Sequence, residues 1–181
     1  LQLTGAAKAD SIANMQLRLP VVVVGGGLTA IDTATESLAY YLVQVEKFLT
    51  RFETLAAEIG EDAVREKWDD QEREIAEEFL AHARAAREER VAAGRENRVP
   101  RIIELLQHWG GATIAYRRRL IDSPSYTLNH EEVEKALEEG IAFCEGLSPL
   151  AVDVDNYGAV RGMRFRRDSG LGGDSSEHWL P

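Results

Sequence analysis

The chain has 181 residues, with 21 Lys and Arg against 31 Asp and Glu, which gives a formal net charge of -10. Hydrophobic residues make up 44% and charged residues 29%, a balance that is typical of globular proteins and excludes global disorder. The acidic charge argues against general nucleic-acid binding, because Lys and Arg must neutralise phosphates. The single cysteine, Cys144, excludes a disulfide within the chain and a Cys-rich zinc site.

The sequence offers no membrane-spanning segment. Its longest apolar run, Leu19 to Val24, is far shorter than the ~20 residues that a membrane helix needs. We therefore expect no membrane partner and a cytoplasmic location. Four widely separated histidines show no spacing typical of metal ligands, so no metal site is predicted. For Leu1 to Arg18 we predict a short helix and an entry loop, and the initial Leu suggests a piece of a longer protein.

A glycine-rich turn follows the first predicted strand. Four consecutive valines, Val21 to Val24, predict a buried strand, since a strand covered on both faces is apolar throughout. Three glycines come next, and a helical pattern begins near Leu28. The segment matches the order strand, GxGxxA, helix. In this motif the first glycine permits a tight turn, Gly27 lets the backbone approach a pyrophosphate, and Ala30 allows close packing of the helix on the strand.

The helix after the glycines adds free N–H groups and the positive end of its dipole. We therefore expect the turn and the first helical residues to bind the pyrophosphate of a dinucleotide. The candidate residues are Gly25, Gly26, Gly27, Leu28, Thr29 and Ala30. The alternative is a glycine-rich turn that binds nothing. For Asp32, in the first turns of the helix, we expect a structural role rather than a catalytic one.

Residues Tyr41 to His108 are rich in strong helix formers, and their apolar residues recur at helical spacing. We predict a helical hairpin with a short third helix, broken at Gly60 and again at Gly94 to Pro100. These helices are expected to project from the core or to lie across it. Because some apolar side chains would then stay exposed, we expect a tendency to form a homodimer through them. The alternative is a self-contained hairpin that only decorates the fold.

Arginines follow the second predicted strand, Ala112 to Tyr116. In a dinucleotide fold this strand end lies beside the adenosine ribose, where an acidic residue would accept hydrogen bonds from the 2′-hydroxyl of NADH. Arg117 and Arg118 instead favour the 2′-phosphate of NADPH, through charge-assisted hydrogen bonds. The alternative is a solvated basic patch.

The rest of the chain is predicted to contain one helix and three short strands. The helix runs through Glu131 to Glu139, with Thr127 or Asn129 as its cap. A strand is expected at Ile141 to Cys144. Two further strands, Leu150 to Val154 and Ala159 to Arg166, flank an Asp-Asn-Tyr-Gly turn, and a loose tail is expected beyond Asp168.

Four blocks occur in a characteristic order: PVVVVGGGLTAIDTA, ATIAYRRR, SPSYTLNHEEVEKALEEGIAF and LSPLAVDVDNYGAVRGMRF. This series resembles the NADPH-binding domain of the glutamate synthase small (beta) subunit and related FAD-dependent pyridine nucleotide-disulfide oxidoreductases. The matching residues are Gly25, Gly26, Gly27, Thr29, Ala30 and Asp32 in the first block, Tyr116, Arg117 and Arg118 in the second, and Pro124, Glu131, Glu132, Glu138, Glu139 and Gly140 in the third.

The resemblance implies an α/β fold, namely a Rossmann-like NAD(P)-binding domain with a long helical insertion at about residues 41–108 and a small β-hairpin or meander. It implies that residues 1–181 are a fragment of a larger flavoprotein. The chain would bind NADPH and present it for hydride transfer to FAD, which the rest of the parent protein would hold. The implied partners are that FAD-binding part and a large electron-accepting subunit. The isolated chain is expected to be an inactive part of an oxidoreductase.

The sequence departs from this family in three respects that bear on function. Leu28 replaces the usual Asp or Asn, the helical stretch of Tyr41 to His108 is an addition, and the FAD-binding motif is missing from the chain. Two alternatives therefore stay open. One is a non-catalytic interaction module, in which the helices dock a partner on a Rossmann scaffold. The other is a different Rossmann enzyme, such as a methyltransferase.

Overall fold

The computed structural model describes residues 16–167 and 176–181. This part of the chain is a mixed α/β structure with one parallel and one antiparallel sheet. The helices are α1 Leu28–Ile59, α2 Glu61–Arg65, α3 Asp70–Glu96, α4 Ile102–His108 and α5 Pro124–Glu138, with a short 3-10 helix at Leu120–Asp122. The strands are β1 Val21–Val24, β2 Ala112–Tyr116, β3 Ala142–Glu145, β4 Leu147–Val154, β5 Val160–Arg167 and β6 Ser176–Leu180.

The parallel sheet has the strand order β1-β2-β3. Strands β1 and β2 carry mainly small and β-branched residues on both faces, as expected for a sheet that is covered on both sides. Alternate residues of the strands, among them Val23 and Ile114, pack into the core shared with the helices. The residues on the other face of the sheet, among them Val22, Ala115 and Cys144, contact the antiparallel sheet. The parallel sheet is therefore the middle of three layers.

The antiparallel sheet is a meander of β4, β5 and β6. Its inner face contributes Leu147 and Phe165, both fully buried against the parallel sheet. The turn between β4 and β5 is closed by Asp155, whose carboxylate accepts hydrogen bonds from the backbone N–H of Tyr157 at 2.8 Å and of Ala159 at 2.9 Å. The predicted hairpin turn is thus confirmed, with Gly158 at a positive φ of 81°.

Two long helices, α1 and α3, form the predicted helical hairpin. Their buried residues follow helical spacing, and α1 packs against α3 along this stripe. The helix predicted to begin near Leu28 and the first helix of the hairpin are one element, because α1 continues without a break through 32 residues. The apolar pattern that begins before Tyr41 runs on in phase beyond it, so nothing in the sequence interrupts the helix.

The predicted helix ends are confirmed in part. Gly60 ends α1 at a positive φ of 88°. Gly94 lies within α3, which ends at Glu96 with Asn97 in the left-handed conformation. The turn into α4 is held by Glu89, which accepts hydrogen bonds from the side chain of Arg98 and the backbone N–H of Arg101. These contacts, above all the one with Arg98, lower the pKa of Glu89 to about 2.

Three predictions for the second half need correction. Helix α5 begins at Pro124 rather than Glu131, because Ser123 caps it, and only a local interruption at Asn129 marks the predicted start. Strand β4 begins three residues earlier than expected, at Leu147. The predicted loose tail contains a strand, β6, which is held by pairing with β5, while residues 168–175 lie outside the described part of the chain.

The predicted helix and entry loop of residues 1–18 falls almost wholly outside the described residues. Leu17, which is described, exchanges two backbone hydrogen bonds with the side-chain amide of Gln44 on α1. Among the described helices, none combines the length and the apolar character required to cross a bilayer.

Candidate functional site

The glycine loop, Gly25 to Gly27, joins the carboxyl end of β1 to the start of α1. The N–H of Gly25 donates to the carbonyl of Ala115 on β2, with 3.1 Å between the nitrogen and the oxygen. At the other end, the N–H of Ala30 donates to the carbonyl of Gly27 at 3.0 Å, which opens the helix. None of the three glycines has a positive φ. Space, rather than backbone conformation, must therefore explain why glycine is needed here.

Each glycine of the loop meets a different neighbour. A Cβ atom on Gly25 would lie 3.2 Å from the Cβ of Ala30, so the small residues at both positions let the helix start close to the strand. A Cβ on Gly26 would lie 2.3 Å from the ring of Tyr116, which is a severe overlap. A Cβ on Gly27 would meet nothing within 4 Å. The open side of the loop is therefore at Gly27, the position that the sequence motif assigns to close approach of a ligand.

The N-terminus of α1 has neither a capping side chain nor an acidic residue to offset its positive dipole end. Gly27 is its N-cap and offers no side chain, and no acidic residue lies in the first turn. The backbone N–H groups of Gly27, Leu28 and Thr29 donate to no other residue within the described ranges. The side chains of Leu28 and Thr29 are exposed, whereas Ala30 is buried. A 32-residue helix thus presents free donors and its positive dipole end to the open side of the loop.

The arginine pair, Arg117 and Arg118, follows β2 directly. Because Val24 pairs with Ala115, the carboxyl ends of β1 and β2 are neighbours, and the pair leaves the sheet beside the glycine loop. Both side chains are exposed, and neither forms an ion pair with another residue in the part of the chain described. These two cations therefore remain available to an anionic ligand.

The third arginine of the run, Arg119, is occupied instead. It donates two hydrogen bonds to the carboxylate of Asp122, at 2.8 and 3.1 Å. This contact lowers the pKa of Asp122 and raises the pKa of Arg119. Arg119 is therefore less available to a ligand than Arg117 and Arg118.

A small cavity lies under the glycine loop. It has a volume of about 10 Å³ and lies between the loop, Tyr116, Ser125 and Phe143. This is about the space of one water molecule, so a nucleotide cannot enter it. Any bound dinucleotide would lie outside the loop, on the open side at Gly27. The arginine pair does not line this cavity.

Two serines that were not among the predicted site residues stabilise the glycine loop. Ser123 and Ser125, at the start of α5, are almost fully buried, with 0% and 1% of their surfaces exposed. The carbonyl of Gly26 accepts hydrogen bonds from both the hydroxyl and the backbone N–H of Ser125, at 3.0 and 3.2 Å. The Ser-Pro-Ser sequence indicates a helix start, since Ser is a common N-cap and Pro a common first residue, but it does not reveal this distant contact.

The described residues offer few other candidates for a catalytic or metal-binding site. Asp32 is exposed on α1. Within residues 16–167 and 176–181, no three His, Cys, Asp or Glu side chains are grouped so that they could hold a metal ion. The arrangement at this edge of the sheet is thus one of backbone donors and cations, which suits the binding of phosphate groups.

Comparison with known proteins adds one relative. No family model matches the sequence. An uncharacterized protein of Rickettsia prowazekii (strain Madrid E) is 42% identical to the chain over 165 residues, which cover 91% of this chain. The match covers 21% of that protein, so the chain spans about a fifth of its relative's length. A similar sequence is therefore part of a much longer protein in that organism.

Proposed function

We propose that this chain is the NADPH-binding part of an FAD-dependent oxidoreductase that resembles the glutamate synthase small subunit. The observation that carries the proposal is the convergence of two features at one edge of the parallel sheet. The glycine loop opens onto the free donors of α1, and the unpaired arginine pair leaves the adjacent strand. Both features favour an anionic ligand with more than one phosphate.

The order of elements supports a Rossmann-like assignment. Three parallel strands alternate with helices, and the strand order β1-β2-β3 agrees with one half of a doubly wound sheet. In such folds ligands bind beyond the carboxyl ends of the strands, which is where the glycine loop and the arginine pair lie. Helices α1 to α4 would then be an insertion in the first crossover.

Two parts of NADPH, the pyrophosphate and the 2′-phosphate, have a proposed contact. The pyrophosphate would lie on the open side of Gly27, where it accepts hydrogen bonds from the free N–H groups at the start of α1. The 2′-phosphate would lie at Arg117 and Arg118, whose guanidinium groups bind phosphate in a bidentate manner. No acidic side chain of the first turn of α1 repels these phosphates. The residues present therefore fit the cofactor.

The chemistry belongs to the cofactors, because NADPH supplies a hydride that FAD accepts. The chain's own residues bind and orient the nucleotide, and no acid, base or nucleophile is assigned among them. FAD would be held by another part of a longer parent protein, and a match that covers 21% of a relative supports such a parent. A separate electron-accepting subunit is part of the same proposal, as is a cytoplasmic location. On its own the chain should bind NADPH without turnover.

Titration of the chain with NADPH and with NADH tests the proposal. Binding of NADPH with at least tenfold preference over NADH is expected, because only NADPH carries the 2′-phosphate. Failure to bind either nucleotide would contradict the proposal as a whole. Equal affinity would contradict the assignment of the arginine pair and leave the glycine loop as a dinucleotide site.

A second candidate function is an interaction module, in which the helical hairpin docks a partner. It is favoured by two pairs of exposed apolar side chains at helical spacing on α1, Tyr40 with Val43 and Leu55 with Ile59. These pairs lie away from the glycine loop, so partner binding and nucleotide binding are compatible. A second copy of the chain is the simplest partner.

A further inference from the structure

Ser125 makes a contact that the proposed function does not by itself require. Its hydroxyl and its backbone N–H both donate to the carbonyl of Gly26, which lies 99 residues earlier in the chain. The two donor atoms lie 3.0 and 3.2 Å from the carbonyl oxygen. A side chain with 1% of its surface exposed thus connects the start of α5 to the middle of the glycine loop.

The direction of each hydrogen bond in this group follows from the acceptors. A carbonyl oxygen can only accept, so the single hydroxyl proton of Ser125 goes to Gly26. The hydroxyl of Ser123, 3.1 Å from that of Ser125, must then donate to it. The same Ser123 oxygen accepts from the backbone N–H of Tyr126, at 3.1 Å. One arrangement of protons therefore satisfies both serine hydroxyls. The resulting chain of hydrogen bonds ends at the carbonyl of Gly26 in the glycine loop.

Fixing the carbonyl of Gly26 also fixes the next amide. In a planar trans peptide the C=O and N–H groups point in opposite directions. The carbonyl of Gly26 points toward α5, so the N–H of Gly27 points away from it. That N–H donates to no other residue in the described ranges. The orientation of this free donor is thus set by Ser125.

Glycine at three successive positions makes such support necessary. A Gly-Gly-Gly segment has more conformational freedom than any other, and ordering it when a ligand binds costs free energy. The ring of Tyr116 restricts one side of Gly26, and Ser125 holds its carbonyl on another. Between them they hold the loop in one conformation before any ligand arrives.

We propose that Ser125, oriented by Ser123, is a positioning residue that holds the glycine loop in the conformation that binds a pyrophosphate. This inference rests on the proposed function and assigns it a residue outside the glycine motif. It predicts a selective effect. Loss of the Ser125 hydroxyl weakens ligands that contain a pyrophosphate, and it leaves a ligand that contacts only the arginine pair unaffected.

The test compares Ser125→Ala with the unaltered chain for three probes: NADPH, NADH and 2′-AMP, which has a 2′-phosphate but no pyrophosphate. We expect about a three- to tenfold loss of NADPH affinity, with the same factor for NADH, which corresponds to one ordinary hydrogen bond. Affinity for 2′-AMP should be unchanged. Ser37→Ala is the matched control and should change none of the three, because it removes the hydroxyl of a half-buried serine of α1 that donates only to the carbonyl of Thr33 on the same helix.

A spectroscopic measurement separates positioning from general damage. In a ¹⁵N-labelled chain without ligand, the amide signals of Gly26 and Gly27 should shift or broaden in Ser125→Ala, while the signals of β4 and β5 stay in place. If Ser125→Ala does not fold, Ser125→Cys, which retains a weak donor, takes its place, and the same selective pattern is expected at a smaller size.

Two outcomes would overturn the inference while the proposed function stands. One is unchanged NADPH affinity in Ser125→Ala, and the other is an equal loss for NADPH and 2′-AMP, which indicates a general structural role. If the unaltered chain binds neither NADPH nor NADH, the proposed function fails, and the positioning role of Ser125 fails with it.

Discussion

Tyr41 of α1 and His82 of α3 are joined by a hydrogen bond, with 2.5 Å between the tyrosine hydroxyl and Nδ1 of the imidazole. The imidazole also stacks on the indole of Trp109, at 4.1 Å between ring centroids. Burial raises the pKa of Tyr41 and lowers the pKa of His82, so the tyrosine donates and the neutral histidine accepts. The hydrogen bond joins the two helices of the hairpin, and the stacking ties them to Trp109 at the end of α4.

We predict that acid weakens the fold through His82. The unfolded chain takes up a proton near the ordinary histidine pKa of about 6.5, whereas folded His82 does so only at lower pH. Between these values the unfolded state binds more protons, so the free energy of unfolding falls as pH falls. Nearby Glu78 partly opposes this effect, and His108 adds to it. Urea unfolding at pH values from 7.5 to 5.5 measures the slope.

A pair of variants isolates this contribution. His82→Gln should reduce stability at pH 7.5 and flatten the dependence between pH 7 and pH 5.5. His130→Gln, which alters an exposed histidine of α5, should follow the unaltered chain. Identical slopes for all three proteins would contradict the assignment to His82.

Gly26 and Gly27 of the glycine loop should respond differently to substitution. Gly27→Val should abolish dinucleotide binding, because its side chain would fill the space that the pyrophosphate needs, while the fold tolerates a side chain that meets nothing within 4 Å. Gly26→Ala should destabilise the fold by about 1–3 kcal/mol, since the new methyl group overlaps the ring of Tyr116. Thermal unfolding and nucleotide titration separate the two effects.

The overlap at Gly26 can be tested with a double variant. Combining Gly26→Ala with Tyr116→Ala should restore part of the lost stability relative to the sum of the single changes, because the second change removes the clash. Additive losses would show that the ring of Tyr116 does not restrict Gly26. Normal nucleotide binding by Gly27→Val would contradict the assigned role of the loop.

Arg118→Ala should weaken NADPH binding by about 1.5–3 kcal/mol, the usual scale for a hydrogen bond to a charged group. Affinity for NADH should stay nearly the same, because NADH has no 2′-phosphate. Arg51→Ala is the matched control, since Arg51 is also exposed but lies about 35 Å along α1 from the glycine loop. Isothermal titration of both variants with both nucleotides measures the difference. An equal loss for NADPH and NADH would place Arg118 elsewhere than at the 2′-phosphate.

The chain should associate with itself through the exposed apolar pairs of α1. Sedimentation velocity at increasing concentration should show a dimer, and Val43→Glu or Leu55→Glu should shift the equilibrium toward monomer, because a charge would enter the interface. Val160→Glu, at a 73% exposed position on the meander, is the matched control. A monomer at all concentrations would contradict association and leave the helical hairpin as a self-contained part of the fold.

The sequence by itself determined the elements whose cause is local. The valines of β1 and the ATIAY segment of β2 form strands with the predicted bounds, because short β-branched and apolar runs have few alternatives. Helical periodicity determined the hairpin of α1 and α3, and Gly60 determined where α1 ends. The glycine loop and the arginine pair were also visible, since each follows a predicted strand directly.

Tertiary structure alone decided what surrounds these elements. No local pattern indicates that the ring of Tyr116 covers Gly26 or that Ser125 holds its carbonyl, because these partners are about 90 and 99 residues away in sequence. The same holds for β6, whose sequence Ser-Glu-His-Trp-Leu contains no run of β-branched residues and which is held by its pairing with β5. The sequence thus identified the candidate ligand-binding residues, and the contacts between distant elements decided how rigidly they are held.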